Sequence, residues 1–505
     1  MSFTEASITM LMDLATRGFL TFIVSLPLLI ATWKLWEAYM TGTKDQNSSL
    51  PLPPGSMGIP LLGETISFVL QGRLFTSSRR QSYGNVFKTH ILGRPTVRVI
   101  GSENVRKILM GEHSLVTCQW PASAKMILGE NALAMLSTGS IHTSRRKAVL
   151  KAFNYEALSS YVRPTQQIIH ECIMKWPERD RILGYHECQG MTFEVAGKVL
   201  LGFNFDKQET TDLTKTFKRL QNNLFSLPVN YPGSGLNKGL EARKILMEAI
   251  EKIITQRKED IANGSHTEHV DALSLLIQKN VDEDEDEVTM DQLKDSALEL
   301  LFAGHETTAS AASSILLHLF KHPKVIDRVA IEMNKYKILN NDTTELTYEI
   351  INKMTYLNNV VKEILRLSPP IGGGFRRAVK TFELNGYQVP KDWTIMYSIR
   401  DTQDTSQVFQ NVDEFDPGRW NDLDLTINQS DRFSYIPFGG GTRACIGKEF
   451  AKLLLKVFIL ELVGNCTWKI PNPNPRMKSF PVPYPVDKLP IEFSKKEHRL
   501  RSFTF

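Results

Sequence analysis

The feature that most constrains this sequence is a glycine-rich segment that carries a cysteine and leads into an apolar helix. It reads Phe438-Gly439-Gly440-Gly441-Thr442-Arg443-Ala444-Cys445-Ile446-Gly447, and the helical apolar run Phe450–Leu462 follows it. Glycines let the backbone turn tightly and approach a large, flat group. The amides and dipole at the start of the helix favour a thiolate at Cys445. Arg443 is placed to neutralise a nearby anionic group.

A thiolate beside glycines and an arginine is what a haem iron needs as a proximal ligand. The alternative, an inert buried cysteine, fits an isolated cysteine but not the whole segment. The chain has 5 cysteines, and the other four are scattered at Cys118, Cys172, Cys188 and Cys466. An odd, scattered set excludes a disulfide framework and indicates a reducing compartment.

A long helix is predicted from Thr289 to about Lys321, where a proline two residues further on ends it. Gln292 has the spacing of a capping box with Thr289. The middle of this apolar stretch reads Ala303-Gly304-His305-Glu306-Thr307-Thr308. A glycine, an acid and two threonines are unfavourable inside a buried apolar helix. Residues that are locally unfavourable tend to occur at functional sites. Glu306 is therefore either a functional acid or a capped surface carboxylate.

A second polar pair lies on an apolar helix that ends at Pro369-Pro370. Glu363 and Arg366 are one helical turn apart and share a face. Such a pair alone is usually a surface ion pair, but here Arg419 also lies between it and the cysteine segment. The three residues predict a buried carboxylate held by two guanidiniums, which need not add net stability.

The N-terminus contains an apolar run from Gly18 to Trp33 without any charge. At about 1.5 Å per residue it covers about 24 Å, slightly short of a roughly 30 Å hydrocarbon core, and flanking apolar residues extend it. We predict a membrane anchor over residues 1–40, a polar, proline-rich linker over 41–60 and the main folded domain over 61–505. A cleaved signal peptide and a buried core helix are the alternatives.

The main domain is predicted to be α+β and mainly helical. Hairpin signals occur early, with Val86–Ile91 and Thr96–Ile100, and late, with Thr381–Leu384 and Tyr387–Val389 around Asn385-Gly386. Helical periodicity fills most of the chain between them. These patches predict a small sheet built from both ends of the chain. The net charge of +5 is too small to indicate a nucleic-acid partner.

The order of these features resembles the cytochrome P450 family over essentially the whole chain. The resemblance rests on the anchor, the proline hinge, A-G-x-E-T-T, E-x-x-R and F-G-G-G-x-R-x-C-x-G. It implies the P450 fold and a haem-thiolate monooxygenase domain over 61–505, with haem b (iron protoporphyrin IX) bound through Cys445. It also implies that Glu306 and Thr307 relay protons to bound dioxygen, and that Glu363, Arg366 and Arg419 form a structural triad behind the haem.

The resemblance also implies a set of haem contacts. These are Phe438, Arg443, Gly447, His142, Arg146 and Arg376. His142 stands where the family usually has tryptophan, and Trp420 stands where phenylalanine is frequent.

Electrons are expected to arrive on the thiolate side. Lys448, Lys452 and Lys456 recur every four residues in the helix after the ligand and predict one basic ridge. The alternative is an ordinary solvated face. By resemblance, the ridge suits docking of NADPH–cytochrome P450 reductase, which supplies NADPH-derived electrons through its flavins.

The resemblance narrows to the retinoic acid hydroxylases, family 26. Its matches run from end to end, among them Gly111-Glu112-His113, Trp120-Pro121-Ala122-Ser123, Gly373-Gly374-Phe375-Arg376 and Tyr484-Pro485-Val486-Asp487. They imply oxidation of the ring of retinoic acid in the endoplasmic reticulum membrane, with the catalytic domain on the cytosolic side. The implied pocket wall comprises Trp120, Phe225, Phe302 and Phe375, and the carboxylate partners are Arg98 and Arg94.

Three other functions remain open from the sequence. A sterol or terpenoid hydroxylase of the same fold shares every haem motif. A thiolate-haem isomerase needs neither dioxygen nor a reductase, and the intact Glu306-Thr307 pair argues against it. The same pair argues against a non-enzymatic retinoid or haem carrier.

Overall fold

The structure is a computed structural model. It describes residues 3–137, 139–203, 207–264, 271–282, 288–338, 345–421, 423, 429–479 and 481–496. Within these ranges the chain forms two compact units, of which the first comprises Met1–Val99 and Arg377–Met396 and the second Ile100–Arg376 and Tyr397–Phe505.

Helices account for most of the described secondary structure. They are α1 Phe3–Gly42, α2 Thr65–Gln71, α3 Arg73–Tyr83, α4 Ser102–Met110, α5 Ala122–Leu128, α6 Ser140–Lys151, α7 Tyr155–Lys175, α8 Gly184–Val195, α9 Lys207–Asn222, α10 Gly235–Ala262, α11 Ala272–Asp282, α12 Met290–Lys321, α13 Pro323–Lys335, α14 Tyr348–Lys353, α15 Thr355–Leu367, α16 Ile399–Thr405 and α17 Lys448–Asn465.

Short strands make up the remaining regular structure. They are β1 Val86–Ile91, β2 Arg94–Val99, β3 Val116–Cys118, β4 Ile182–Leu183, β5 Gly373–Ala378, β6 Phe382–Leu384, β7 Tyr387–Val389, β8 Thr394–Ser398, β9 Cys466–Lys469, β10 Met477–Lys478, β11 Tyr484–Pro485 and β12 Pro490–Lys495.

The first unit is organised around two hairpins. β1 and β2 pair antiparallel with Ile91 opposite Arg94, so the turn is only Leu92-Gly93, and both residues have positive φ. A two-residue turn of this kind matches the strand twist. β2 therefore begins at residue 94, two residues before the predicted start. The turn of the β6–β7 hairpin is Asn385-Gly386, as predicted.

The sheet of this unit draws on two distant segments of the chain. β2 is hydrogen-bonded to β8, of which residues 394–396 belong to this unit, and β8 is hydrogen-bonded to β5, of which residues 377–378 belong to it. The amide of Ala378 donates to the carbonyl of Trp393, which ties the two late strands together. The predicted α+β class, mainly helical with a small sheet built from both ends of the chain, is confirmed.

Helix α1 has the length and composition of a membrane-spanning segment. Met12–Gly42 has a mean hydropathy of 1.8 over its most apolar window, and none of that window is buried. The next segment packs on its own unit, because the amide of Gln388 donates to the carbonyl of Pro51 and the amide of Lys88 to that of Pro54. The predicted division at residues 40 and 60 remains a prediction.

The second unit is built around α12. Thr289 caps this helix and forms the predicted capping box with Gln292, and the helix ends at Lys321. Its 32 residues extend for about 48 Å. Buried side chains of α7, α8, α15 and α17 pack in the same core as its apolar face. Because several helices pack against α12, the surroundings of the residues near Glu306 are well defined.

Candidate active site

The cysteine segment is a turn closed by its own backbone. The amide of Cys445 donates to the carbonyl of Phe438 at 2.9 Å. Gly439 and Gly441 have φ values of 69° and 66°, a region that L side chains rarely adopt. At Gly441 a Cβ would also stand 2.3 Å from the carbonyl oxygen of Leu109, so only glycine fits there. α17 begins three residues after the cysteine.

Cys445 lies at this helix start, and the residue as a whole is exposed. Crowding by the protein atoms of the turn raises the pKa of the thiol, while the Gly447 amide and the charges of Arg146 and Lys448 lower it. Desolvation is the largest of these effects, and the predicted thiolate at Cys445 remains a prediction. A metal ion bound to the sulfur would favour the deprotonated form.

Two arginines brace the loops around this cysteine. Arg146 donates from Nη2 to the carbonyl of Ala444 at 2.7 Å, and Arg443 donates to the carbonyls of Leu133 and Leu136 at 3.4 and 2.6 Å. These bonds connect the cysteine turn to α6 and to the segment before α6.

A buried carboxylate, Glu112, links two predicted haem contacts. Its Oε2 accepts from Nε of Arg376 at 2.8 Å, and its Oε1 lies 3.6 Å from Nε of Arg443. Its Oε1 also accepts from the amide of Cys118 at 3.0 Å. Glu112 therefore fixes the spacing between β5 and the cysteine turn.

His142 is buried beside these cations. Burial, followed by the charges of Arg443, Arg146 and His113, lowers the pKa of His142 to about 4. The imidazole is neutral near pH 7 and keeps one N–H donor.

These residues fit a haem with a cysteine ligand. Cys445 is exposed, and among the described residues, chain neighbours apart, no atom lies within 4 Å of the position that a Cβ on Gly439 would take. Arg146, Arg443 and the neutral His142 are donors suited to carboxylates of the propionate type.

Glu306 of α12 is bound to side chains of α8. The hydroxyl of Tyr185 donates to its Oε1, and Nε2 of Gln189 lies 3.2 and 2.9 Å from its two oxygens. The neighbouring Thr307 hydroxyl donates to the carbonyl of Ala303 at 2.6 Å. The predicted acid and alcohol are adjacent in sequence, but their side chains are engaged with different partners.

Glu363, Arg366 and Arg419 are brought together. Arg366 donates from Nε and Nη2 to the two oxygens of Glu363 at 2.8 and 2.9 Å, and Arg419 donates from Nε at 2.9 Å. Glu363 and Arg366 have no exposed side-chain surface. Trp420, which departs from the family pattern, donates its indole N–H to Glu363 at 3.0 Å. The carboxylate thus has several donors in a dry site.

The predicted pocket aromatics lie in the second unit. Trp120, Phe225 and Phe302 are half-buried against its core, and Phe375 is half-buried on β5. Arg98 and Arg94 lie on β2 in the first unit, where Arg98 is buried and donates from Nη2 to the hydroxyl of Thr76 at 3.0 Å, and Arg94 is exposed.

The predicted basic ridge is wrong at one residue. Lys448 is exposed and Lys452 is half-exposed, but Lys456 is buried and donates from Nζ to Oδ1 of Asn352 at 3.0 Å. Burial, with Lys452 as the next cause, lowers the pKa of Lys456 to about 8.

Several functional candidates were missed from the sequence. Tyr185 and Gln189 are four residues apart, which places them on one face of a helix. This spacing can be read from the sequence. Glu112 stood in a matched motif without a role. Glu299 had no signal; it accepts the amides of Leu133 and Ala134, and burial raises its pKa to about 7.

Comparisons with known proteins agree with this geometry. The family model described as cytochrome P450 matches residues 53–489. The chain belongs to the cytochrome P450 family. It is 45% identical to cytochrome P450 26B1 of Xenopus tropicalis, with 93% of this chain and 92% of that protein covered. It is 45% identical to cytochrome P450 26A1 of Gallus gallus, with 95% and 98% covered. The predicted membership of P450 family 26 is confirmed.

A solved structure is also similar to this cytochrome P450. It is described as a retinoic acid-bound cyanobacterial CYP120A1, with a TM-score of 0.80 and 34% identity; the match covers 89% of this chain and 100% of that chain. The protein is a cytochrome P450 monooxygenase, and family membership implies haem as its cofactor.

Proposed function

We propose that this cytochrome P450 hydroxylates the ring of all-trans-retinoic acid. The observation that carries the proposal is the similarity, at 43–46% identity over more than nine-tenths of the chain, to cytochromes P450 26A1 and 26B1. The cyanobacterial neighbour, whose described ligand is retinoic acid, supports the same substrate. Dioxygen and NADPH are the co-substrates, and NADPH–cytochrome P450 reductase delivers the electrons.

The haem b that we propose as cofactor activates dioxygen when it is bound. Cys445 would ligate its iron, while Phe438 and Gly447 belong to the turn that presents the thiol. Arg146, Arg443, Arg376 and His142 would hold its propionates by N–H donors. The Glu306 carboxylate, next to Thr307 on α12, would donate the protons. A positioned general acid typically raises the reaction rate by about 10²–10⁴-fold.

The substrate is an apolar chain and ring with one carboxylate, so its site needs an apolar wall and a cation. Trp120, Phe225, Phe302 and Phe375 are the proposed wall. Arg98, and secondarily Arg94, are the proposed partners of the carboxylate, since a guanidinium can bind it through two hydrogen bonds.

The direct test is turnover. Purified protein with reductase, NADPH and retinoic acid is expected to give ring-hydroxylated products, identified by mass spectrometry and NMR. Tight spectral binding of a sterol together with no retinoic acid product would instead indicate the sterol or terpenoid hydroxylase.

Replacement of Arg98 by glutamine is expected to weaken binding of retinoic acid by about 10- to 100-fold, because one charge-assisted hydrogen-bond partner of the carboxylate is lost. Binding of retinol, which has no carboxylate, is expected to change much less. The measurement is a titration of the haem spectrum with each ligand. Thr76→Val is the matched control, since it removes the hydroxyl that Arg98 contacts but keeps the guanidinium. Equal losses for both ligands would remove Arg98 as the carboxylate partner.

We propose that α1 anchors the protein in the endoplasmic reticulum membrane, with the catalytic domain on the cytosolic side. The length and apolar surface of Met12–Gly42 support the anchor, and the free cysteines support the reducing side.

Removal of residues 1–40 is expected to move the protein from the membrane fraction to the supernatant.

The exposed lysines on α17 lead to a prediction about the reductase. The double charge reversal Lys448→Glu/Lys452→Glu is expected to slow reduction by the reductase about tenfold or more at low salt, and much less at high salt, because complementary charge mainly raises the encounter rate. Lys456→Met is the matched control, since Lys456 is buried and presents no charge to a partner. Stopped-flow reduction under carbon monoxide measures the rate. An equal loss from Lys456→Met would argue against docking on this face.

A further inference from the structure

The Glu306 carboxylate has two donors on one face of a neighbouring helix. Tyr185 and Gln189 both donate to it from α8, and the backbone carbonyl of Gln189 also lies 3.0 Å from Nε2 of His305. The Glu306 side chain is only 16% exposed. A carboxylate with so little water depends on protein donors for its charge and its orientation.

Tyr185 is itself held by the segment from Pro483 to Leu489. Its ring stacks on Tyr484 with centroids 4.8 Å apart and planes 15° apart. The ammonium of Lys488 lies 3.7 Å from the centroid of the Tyr484 ring, within the range of a cation–π contact.

Backbone bonds reinforce this support. The amide of Tyr185 donates to the carbonyl of Lys488 at 3.0 Å, and the amide of Gly184 donates to that of Leu489 at 2.8 Å. Lys488 and Leu489 have φ values of 62° and 59°. Two successive non-glycine residues in the left-handed region are costly, and they persist only where the surroundings fix them.

The same segment is tied to α12. The hydroxyl of Ser310 donates to the carbonyl of Pro483 at 2.6 Å. Ser310 lies four residues after Glu306, on the same side of the helix. The segment therefore connects the helix that carries the acid to the helix that carries its donors. The Tyr484-Pro485-Val486-Asp487 motif of the family resemblance lies in this segment, so the motif contributes to the connection between the two helices.

The protonation states favour a fixed donor. Burial, and then the charge of Glu306 and its hydrogen bond, raise the pKa of the Tyr185 phenol far above its usual range, so the hydroxyl keeps its proton. Burial lowers the pKa of His305 to about 4, which leaves it neutral. The other charged or titratable groups of the described residues that act on this cluster include His186, Glu187, Cys188, Lys218, Tyr484 and Lys488.

We propose that Tyr185 and Gln189 are positioning residues that hold the Glu306 carboxylate in the orientation from which it supplies protons, with the 483–489 segment as their support. The inference rests on the proposed function, in which Glu306 is the proton source. Neither residue needs to touch the substrate or the haem.

The test is Tyr185→Phe, which removes one oxygen and keeps the ring that stacks on Tyr484. Product formed per NADPH consumed is expected to fall about threefold to tenfold, because the Glu306 carboxylate loses one of the hydrogen bonds that orient it. The electrons that do not form product are expected to appear as peroxide. Retinoic acid affinity and the carbon monoxide spectrum of the thiolate haem are expected to stay unchanged. The solvent deuterium isotope effect on product formation is expected to rise.

Tyr161→Phe is the matched control, since Tyr161 is a fully buried tyrosine of α7 whose ring packs on Phe450. It is expected to keep wild-type coupling. If Tyr185→Phe does not fold, Gln189→Met carries the same test. Full coupling in a folded Tyr185 or Gln189 variant, or the same uncoupling in Tyr161→Phe, would overturn the inference.

A double-mutant cycle separates this inference from the proposed function. Tyr185→Phe is expected to lower the Tm of the haem-loaded protein, and at least half of that loss is expected to disappear in a Glu306→Ala background. Additive losses would overturn the contact. Wild-type protein that makes no retinoic acid product would overturn the proposed function, while the cycle would still decide the contact.

Discussion

Glu363→Gln is expected to lower the free energy of unfolding by about 3–5 kcal/mol, because it leaves buried cations without their counter-charge. Arg366 has no exposed side-chain surface, and Arg419 is only 9% exposed. Both guanidiniums would face a neutral amide that accepts fewer hydrogen bonds than a carboxylate. Urea unfolding followed by circular dichroism measures the loss, and the yield of haem-loaded protein is expected to fall with it.

Glu349→Gln is the matched control for this prediction. Glu349 also pairs with a cation one helical turn away, Lys353, but both side chains are more than 60% exposed. Water and salt already screen such a pair, so its loss is expected to leave the unfolding curve unchanged. Equal shifts in the two variants would show that burial of Glu363 does not make its ion pairs important.

Cys445→Ala is expected to abolish monooxygenase activity and the red-shifted Soret band of the reduced carbon monoxide complex. A cysteine thiolate bound to haem iron would donate the electron density that this chemistry needs, and alanine offers no ligand. The measurement is a reduced carbon monoxide difference spectrum on protein with a known porphyrin content.

Cys172→Ala is the control for the cysteine prediction. Burial, followed by the charge of Glu194, raises the pKa of the Cys172 thiol to about 12, so it is an inert side chain of α7. Its replacement is expected to leave the spectrum intact. A normal carbon monoxide band in Cys445→Ala would remove Cys445 as the ligand and the haem-thiolate interpretation with it.

Local sequence signals predicted the elements whose residues interact along the chain. The capping box at Thr289 formed as predicted, and so did the Asn385-Gly386 turn. The turn before Cys445 favours glycine at position 441 because its φ is 66°, a region that L side chains rarely adopt. In each case the residue type follows from a local backbone requirement, which a sequence displays directly.

Spacing alone failed where the neighbouring element mattered. Lys448 and Lys456 differ by eight residues, and a helix of 3.6 residues per turn rotates by about 80° over that distance. The rotation carries Lys456 from the solvent to the buried face of α17. The sequence contained this rotation, but it did not contain the position of the core against which α17 packs.

The sequence by itself determined the cysteine turn, the course of α12 and the family, because each depends on a contiguous pattern of residue types. Only the tertiary structure decided which side chains Glu306 and Glu363 contact. Tyr185 lies 121 residues from Glu306 and Arg419 lies 56 residues from Glu363. Contacts over such separations arise when helices pack, and the packing of a whole core selects them, since no local signal encodes the partner.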